Sequence, residues 1–180
     1  MYMFDWLFGK KEHIQGVAQV PAAQNTPAPA AIPAATAPGT GIHFHPELVE
    51  KLSHEHRMLL KLFAQTQAAA RQGDVVHAAQ HAEAFRVLLQ GHLLSENVRL
   101  YVYLEHSLAG DASSFALIRA FRHEMDGIGK AVMDFLGRYR DLAQRPDLAA
   151  QFLHELDGIG QVLAQRIARE EETLYPLYTA

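Results

Sequence analysis

An all-α fold, an antiparallel up-down-up-down four-helix bundle with a disordered N-terminal extension, is predicted by three observations. From Pro46 onward apolar residues recur at steps of three and four, and nothing alternates with period two for long. Three breaks, Gly73-Asp74, Gly110-Asp111 and Arg145-Pro146-Asp147, divide this stretch into four. The segments so defined, of about 27 to 33 residues with short loops, have the lengths from which antiparallel bundles are built.

The first helix runs from about Pro46 to Gln72, with Pro in its first turn and Val49, Leu52, His56, Leu59, Phe63 and Ala70 on one face. Asp74 can cap the second, which runs to about Leu108 and carries Phe85, Leu89, His92, Glu96, Leu100 and Tyr103 on its stripe. Ile118, Phe121, Met125, Ile128, Val132, Phe135 and Tyr139 give the third helix an unbroken seam. Arg145-Pro146-Asp147 opens the fourth, which turns Phe152, Leu156, Ile159, Leu163, Ile167, Leu174 and Leu177 inward.

Ahead of the bundle, residues 17–41 hold five of the eight prolines and almost no charge, and read as an extended, unpacked linker, so that the folded part is expected over 42–180. Residues 1–16 begin with a short apolar segment in which Asp5 interrupts the run and Lys10-Lys11 follows it, unlike a secretory signal. It reads as a disordered start or as a docking peptide for a protein partner or membrane surface. No apolar stretch reaches the roughly 18 to 20 residues of a membrane span, and a cytoplasmic location is expected.

With 180 residues and no cysteine, the chain has no disulfide scaffold, thiolate metal site or cysteine nucleophile. Its formal net charge of −4 and lack of a basic run give it no footprint for nucleic acid. Eleven histidines are the compositional anomaly.

Polar residues on apolar stripes are the informative positions. His56 lies between Leu52 and Leu59, His92 and Glu96 lie one turn apart, and Arg166, Glu170 and Glu171 interrupt the fourth stripe. Antiparallel hairpins pair residues equidistant from their loop, which brings His56 level with His92, and Met125 level with about residue 164, beside Arg166. One core layer therefore gathers His56, His92, Glu96, Met125, Arg166 and Glu170 or Glu171. Buried ionisable groups must pair or bind a cation. Imidazole and carboxylate at i, i+4, joined by ligands from facing helices, are how bundles hold non-haem iron, manganese or zinc.

HEHRMLLKLF (54–63), HLLSENVRLY (92–101) and REEETLYPLY (169–178) resemble the hemerythrin and HHE cation-binding family over roughly residues 44–178. The resemblance implies a four-helix bundle with non-haem iron, mononuclear or di-iron, that binds or senses dioxygen, nitric oxide or peroxide. It makes His56, His92, Glu96 and Glu171 metal ligands; His123, Glu124 and Glu170 are secondary candidates from their positions alone. The family's second-iron histidines fall on Phe121/Met125 or His123/Gly127 in the third helix, and its fourth-helix histidine falls on Arg166.

A near-repeat within the chain bears on this: 54–62 aligns with 123–131, and 92–101 with 166–175. Met125 and Arg166 then stand where His56 and His92 stand, and a thioether plus a guanidinium cannot hold a hard iron. Two readings remain open. Either one metal, or two with help from His123 or Glu124, sits at the four ligands, or Arg166 closes a metal-free layer through a bidentate pair with Glu96 or Glu170.

HEMDGIG (123–129) and HELDGIG (154–160) lack the second histidine of a zinc protease helix, and Gly129 and Gly160 read as paired glycines that let two helices approach. His43-x-His45 is an auxiliary ligand or solvated. His77, His81, His106 and His154 lie off the seams and are expected at the surface, and Tyr101, Tyr175 and Tyr178 read as lids over the core in preference to radical or ligand tyrosines. No nucleophile constellation or phosphate loop argues for an enzyme. The alternative to a metal protein is a metal-free interaction module, and the second and fourth helices are similar in look to anti-sigma factors of the regulator-of-sigma-D type.

Overall fold

The structure, a computed structural model, describes residues 35–180. The apolar segment 1–16, its docking role, and the linker up to residue 34 lie outside the described residues. The remainder of the expected linker is packed rather than free. The Ala37 amide donates to the Ile42 carbonyl at 2.9 Å, Phe44 N–H donates to the Ala35 carbonyl at 2.7 Å, and Gly39 turns the chain with φ +70°. Ala37 has no side chain beyond its methyl and is fully buried among Leu48, Leu104 and their neighbours. Phe44 stacks on Tyr178 with ring centroids 4.8 Å apart. The fold is thus held from residue 35, ahead of the boundary expected near Ile42.

The four expected helices are present. The first is α1, Leu48–Arg71. The second is made of α2, Val75–Ser95, a π-helical turn, Glu96–Tyr101, and α3, Val102–Ser107. The third is α4, Ala112–Arg138. The fourth is α5, Ala149–Arg169, continued by a second π-helical turn, Glu170–Leu174, and a 3-10 turn, Tyr175–Leu177. Apart from an isolated bridge between Thr36 and His43, no strand occurs among the described residues. No helix among them is long and apolar enough to cross a membrane.

Side chains and backbone set the helix ends. Gly73, at φ +75°, reverses the chain, and the Asp74 carboxylate accepts the His77 amide at 3.1 Å, satisfying one of the free N–H groups of α2. Asp111 caps α4 through the Ser113 amide and both the Ser113 and Ser114 hydroxyls.

Two apolar clusters fill the bundle. One, toward the Gly73 end, contains Leu59, Phe63, Phe85, Leu89, Phe135, Phe152 and Leu163. The other, toward the chain terminus, contains Leu52, Leu100, Leu104, Ile118, Phe121 and Leu174. Each fully buried Leu or Phe contributes about 1.5 to 3 kcal/mol, so both ends are fastened independently of the layer between them, where the buried polar residues lie.

The glycines do not pair with one another as expected. A methyl group at Gly129 would meet Leu93 of α2 at 3.1 Å, and one at Gly160 would meet the Phe63 ring of α1 at 2.5 Å. Each glycine makes room for a side chain from the other hairpin.

Candidate metal centre

His56, His92, Glu96, Arg166 and Glu170 are each at most 2% exposed and form the layer between the two clusters. Their helices hold them there by an unusual stepping. In an α-helix every four-residue step drifts about 40° around the axis, so His92, Glu96, Leu100 and Leu104 would spiral off the core. The π-turn beginning at Glu96 is wider, with hydrogen bonds from i to i+5, and absorbs the drift; all four residues are buried. Arg166, Glu170 and Leu174 repeat the arrangement at the second π-turn. The extra residue also lets two successive side chains point inward, Leu100 with Tyr101 and Leu174 with Tyr175.

One ligand atom from each of His56, His92, Glu96 and Glu170 lies within 4.8 Å of all the others. His56 Nε2 is 3.3 Å from Glu170 Oε2, and His92 Nε2 is 3.8 Å from Glu96 Oε1. The outer nitrogens are both engaged: His56 Nδ1 lies 2.9 Å from Glu171 Oε1, and His92 Nδ1 lies 3.1 Å from Glu55 Oε2. Lys51 in turn holds Glu55 at 2.7 Å. A neutral imidazole that gives its Nδ1 proton to a carboxylate turns a bare Nε2 lone pair inward. With both imidazoles in that form, two Nε2 lone pairs converge on two carboxylates, and Glu96 Oε2 is buried with no hydrogen-bond partner.

Electron-rich atoms facing one another in a dry core require a cation between them, a proton or a metal. Without a metal the strain falls on protonation. Burial first, and the Glu170 charge second, push Glu96 well above the usual carboxylate range. Burial and then the neighbouring His56 hold His92 below the ordinary imidazole value. Two imidazole nitrogens and two carboxylates, one of them with an orphaned oxygen, fit one first-row divalent ion.

The second half of the layer does not fit a metal. Arg166 occupies it, with Nε donating to Glu170 Oε1 at 2.7 Å, Nη1 to Glu124 Oε2 at 3.1 Å and Nη2 to the Tyr101 hydroxyl at 2.8 Å. Burial opposes its charge, but Glu170, Tyr101 and Glu124 together outweigh burial and the guanidinium pKa is raised. Met125 is buried beside it, and the guanidinium carbon lies 4.6 Å from the Phe121 ring centroid. The expected bidentate pair is replaced by a fork divided among three partners, because each nitrogen faces a different helix.

The residues expected to bind metal thus separate. His56, His92 and Glu96 come together, and Glu170 completes the group. Glu171, the fourth-helix ligand in the family resemblance, is one residue further round the helix, 40% exposed, and holds His56 from outside. The inward stripe steps from Leu163 to Arg166 to Glu170, and Glu171 falls off it by about 100°. His123 is exposed, and Glu124 is half-buried and occupied by Arg166 and Arg169. His43 and His45 are exposed, as are His77, His106 and His154, whereas His81 is half-buried.

Sequence reasoning missed the outer carboxylate Glu55, although its place next to His56 put it level with His92 across the first hairpin. It also missed Tyr175, read as a core lid. Its ring stacks on His56 with centroids 5.5 Å apart, and its hydroxyl lies 3.1 Å from Glu96 Oε1 and 3.2 Å from His56 Nε2. A cavity of about 30 Å³ adjoins the layer, lined by His56, His92, Met125, Arg166 and Glu170 on one side and by Phe63, Leu89 and Leu163 on the other. That is room for about one water-sized molecule.

No curated protein and no solved structure matches the chain. Residues 47–178 match the family described as Hemerythrin HHE cation binding domain, which spans the whole bundle and both halves of the polar layer. On that match the chain belongs to the hemerythrin HHE cation-binding family.

Proposed function

We propose that the protein binds a single non-haem metal ion, iron, between His56, His92, Glu96 and Glu170, and that its role is to bind or sense a small ligand such as dioxygen, nitric oxide or peroxide rather than to catalyse turnover. The observation that carries this reading is the convergence of two inward Nε2 atoms and two carboxylates on one point, with Glu96 Oε2 left unpartnered. When bound, the ion would supply coordination positions for the small ligand.

The protein's own residues do the rest. Glu55 and Glu171 fix the tautomer and tilt of the two imidazoles. Arg166 neutralises part of the charge on Glu170, so the layer carries two carboxylates without a second metal. Phe63, Leu89 and Leu163 wall the adjoining cavity with apolar surface, which suits a diatomic molecule and disfavours bulk water.

The test is metal binding to chelator-treated protein. Ferrous ion at a hundredfold excess over its dissociation constant should add about 2.7 kcal/mol of stability, because only the folded chain assembles the ligands, and the bound metal should saturate near one per chain. Unchanged melting with iron, manganese and zinc would end this reading. It would leave the metal-free interaction module, anti-sigma-like in kind, which one observation favours: the 2.7 Å bond from Arg166 to Glu170 already gives one of the two inner carboxylates a buried cation.

A further inference from the structure

We infer that Tyr175 is a fifth ligand of the metal, bound as phenolate when the ion is ferric; this rests on the metal reading above. The Tyr175 oxygen stands 3.1 Å from Glu96 Oε1 and 3.2 Å from His56 Nε2, touching two of the inner donor atoms at once. Two donors at right angles about a first-row ion, with bonds of about 2.1 Å, lie about 3.0 Å apart. The His56 Nε2 to Glu170 Oε2 separation, 3.3 Å, belongs to the same set. Tyr175 is therefore spaced from its neighbours as one ligand is spaced from the next.

The near-repeat supplies an independent argument. Tyr101 occupies the corresponding position in the first hairpin, one residue after the buried leucine of its π-turn, and its oxygen accepts from Arg166 Nη2 at 2.8 Å. Arg166 is the cation of its half of the layer. In both halves the tyrosine oxygen is turned toward the place of positive charge, which for Tyr175 is the point where His56, Glu96 and Glu170 converge. Pro176 follows at once and restricts the backbone there, and Tyr175 is 4% exposed. At that exposure little bulk water competes for the hydroxyl.

Binding breaks the phenol O–H bond, forms a metal–oxygen bond and releases the proton to solvent. Electron transfer is confined to the oxidation of the ion by an added oxidant.

The experiment loads chelator-treated protein with one equivalent of ferrous ion under nitrogen, oxidises it with ferricyanide, and records visible absorption and resonance Raman spectra. The expected result is a visible charge-transfer band with phenolate vibrations that shift when tyrosine is ring-deuterated. Tyr175→Phe should keep its iron and lose the band. Tyr103→Phe, whose hydroxyl donates to the Thr179 carbonyl, should keep both. Bound ferric iron without tyrosine-derived vibrations overturns the assignment of Tyr175 and leaves the iron site standing, whereas a wild-type chain that takes up no iron overturns both. If Tyr175→Phe does not fold, the labelled wild-type spectrum decides, because among the described residues no other tyrosine hydroxyl is hydrogen-bonded to any of the four ligands.

Discussion

The two hairpins of the bundle offer the core the same positions and fill them differently. Helices α1 and α2 bring His56, His92 and Glu96, and the π-turn that starts at Glu96 ends in Tyr101. Helices α4 and α5 bring Met125, Arg166 and Glu170, and the π-turn that starts at Glu170 leads to Tyr175. The carboxylate, the wide turn and the tyrosine are held in common, and only the basic residues differ. Where the first hairpin has two imidazoles beside its carboxylate, the second has a permanent cation and an inert thioether. A duplicated scaffold can thus carry one open site and one closed site in a single layer, with the closed half stabilising the second carboxylate of the open one.

The largest way to break this comparison is to remove the built-in cation. Arg166→Ala would leave Glu170 buried, with its strongest bond gone and the Tyr101 hydroxyl without its donor. Breaking a buried pair by deleting one partner costs about 3 to 5 kcal/mol, and urea denaturation of the chelator-treated protein should read that loss. Arg166→Lys should recover only part of it, since an ammonium cannot reach Glu170, Glu124 and Tyr101 in three directions from one plane. A variant within about 0.5 kcal/mol of wild type would mean that Glu170 is not relying on Arg166 for its charge.

Next in size is the metal-linked increment of the open half. His92→Ala should abolish the stabilisation by ferrous ion, about 2.7 kcal/mol at a hundredfold excess over the dissociation constant. His154→Ala, at an exposed position of α5, should leave it intact. Acid sharpens the contrast between the halves. Because burial and His56 depress the His92 pKa, the unfolded chain binds that proton more tightly than the folded one. The stability His92 contributes is full above the unfolded value of about 6.5 and drains as the pH falls below it. Arg166 has no titration in that range. Glu96, whose buried carboxyl is pushed the other way, gains stability as the pH falls, so the His92 contribution is read as a difference: from about pH 7 to pH 5 the chelator-treated wild type should lose stability relative to His92→Gln.

How far the sequence disclosed this arrangement differs between fold and site. Period and breakers were enough for the helices, because Gly73-Asp74, Gly110-Asp111 and Pro146 act locally through turn geometry and capping. The buried layer was legible for His56, His92 and Glu96 because a polar residue on a seam is conspicuous. The choice between Glu170 and Glu171 was not, because an ideal α-helix is ambiguous by one residue after several turns, and the π-turn that resolves it involves tertiary packing. The signal was nonetheless present as strict four-residue stepping, His92 to Glu96 to Leu100 to Leu104 and Arg166 to Glu170 to Leu174, which only a widened helix can keep on one face. Alignment of the near-repeat pairs Glu96 with Glu170 and agrees. Tyr175 escaped because a tyrosine near a helix end packs the same way whether its hydroxyl meets water or a buried nitrogen. The division of the Arg166 fork among three helices depends on side-chain placement that no one-dimensional pattern encodes.

The smallest effects concern how the hairpins interlock, and they test whether the two are as alike in packing as in polar pattern. Gly160 of α5 receives the Phe63 ring of α1, and Gly129 of α4 receives Leu93 of α2. In a helix interior, replacing glycine by alanine is favourable by about 0.5 to 1 kcal/mol where space allows. At Gly160 the new methyl would lie 2.5 Å from Phe63 Cε1 and 2.9 Å from Cζ. That ring is itself confined by Phe85, 5.7 Å away between centroids, so it cannot retreat without disturbing the apolar cluster. Overpacking of this kind costs about 1 to 3 kcal/mol, and Gly160→Ala should be a net destabilisation, accompanied by constriction of the cavity that Phe63 and Gly160 share with the metal layer. At Gly129 the contact is one methyl of a half-buried leucine at 3.1 Å, which a rotation of a few tenths of an ångström relieves. Gly129→Ala should therefore fall within about 0.5 kcal/mol of wild type. Equal and large losses at both positions would show that the hairpins interlock symmetrically, with Leu93 as rigidly held as Phe63.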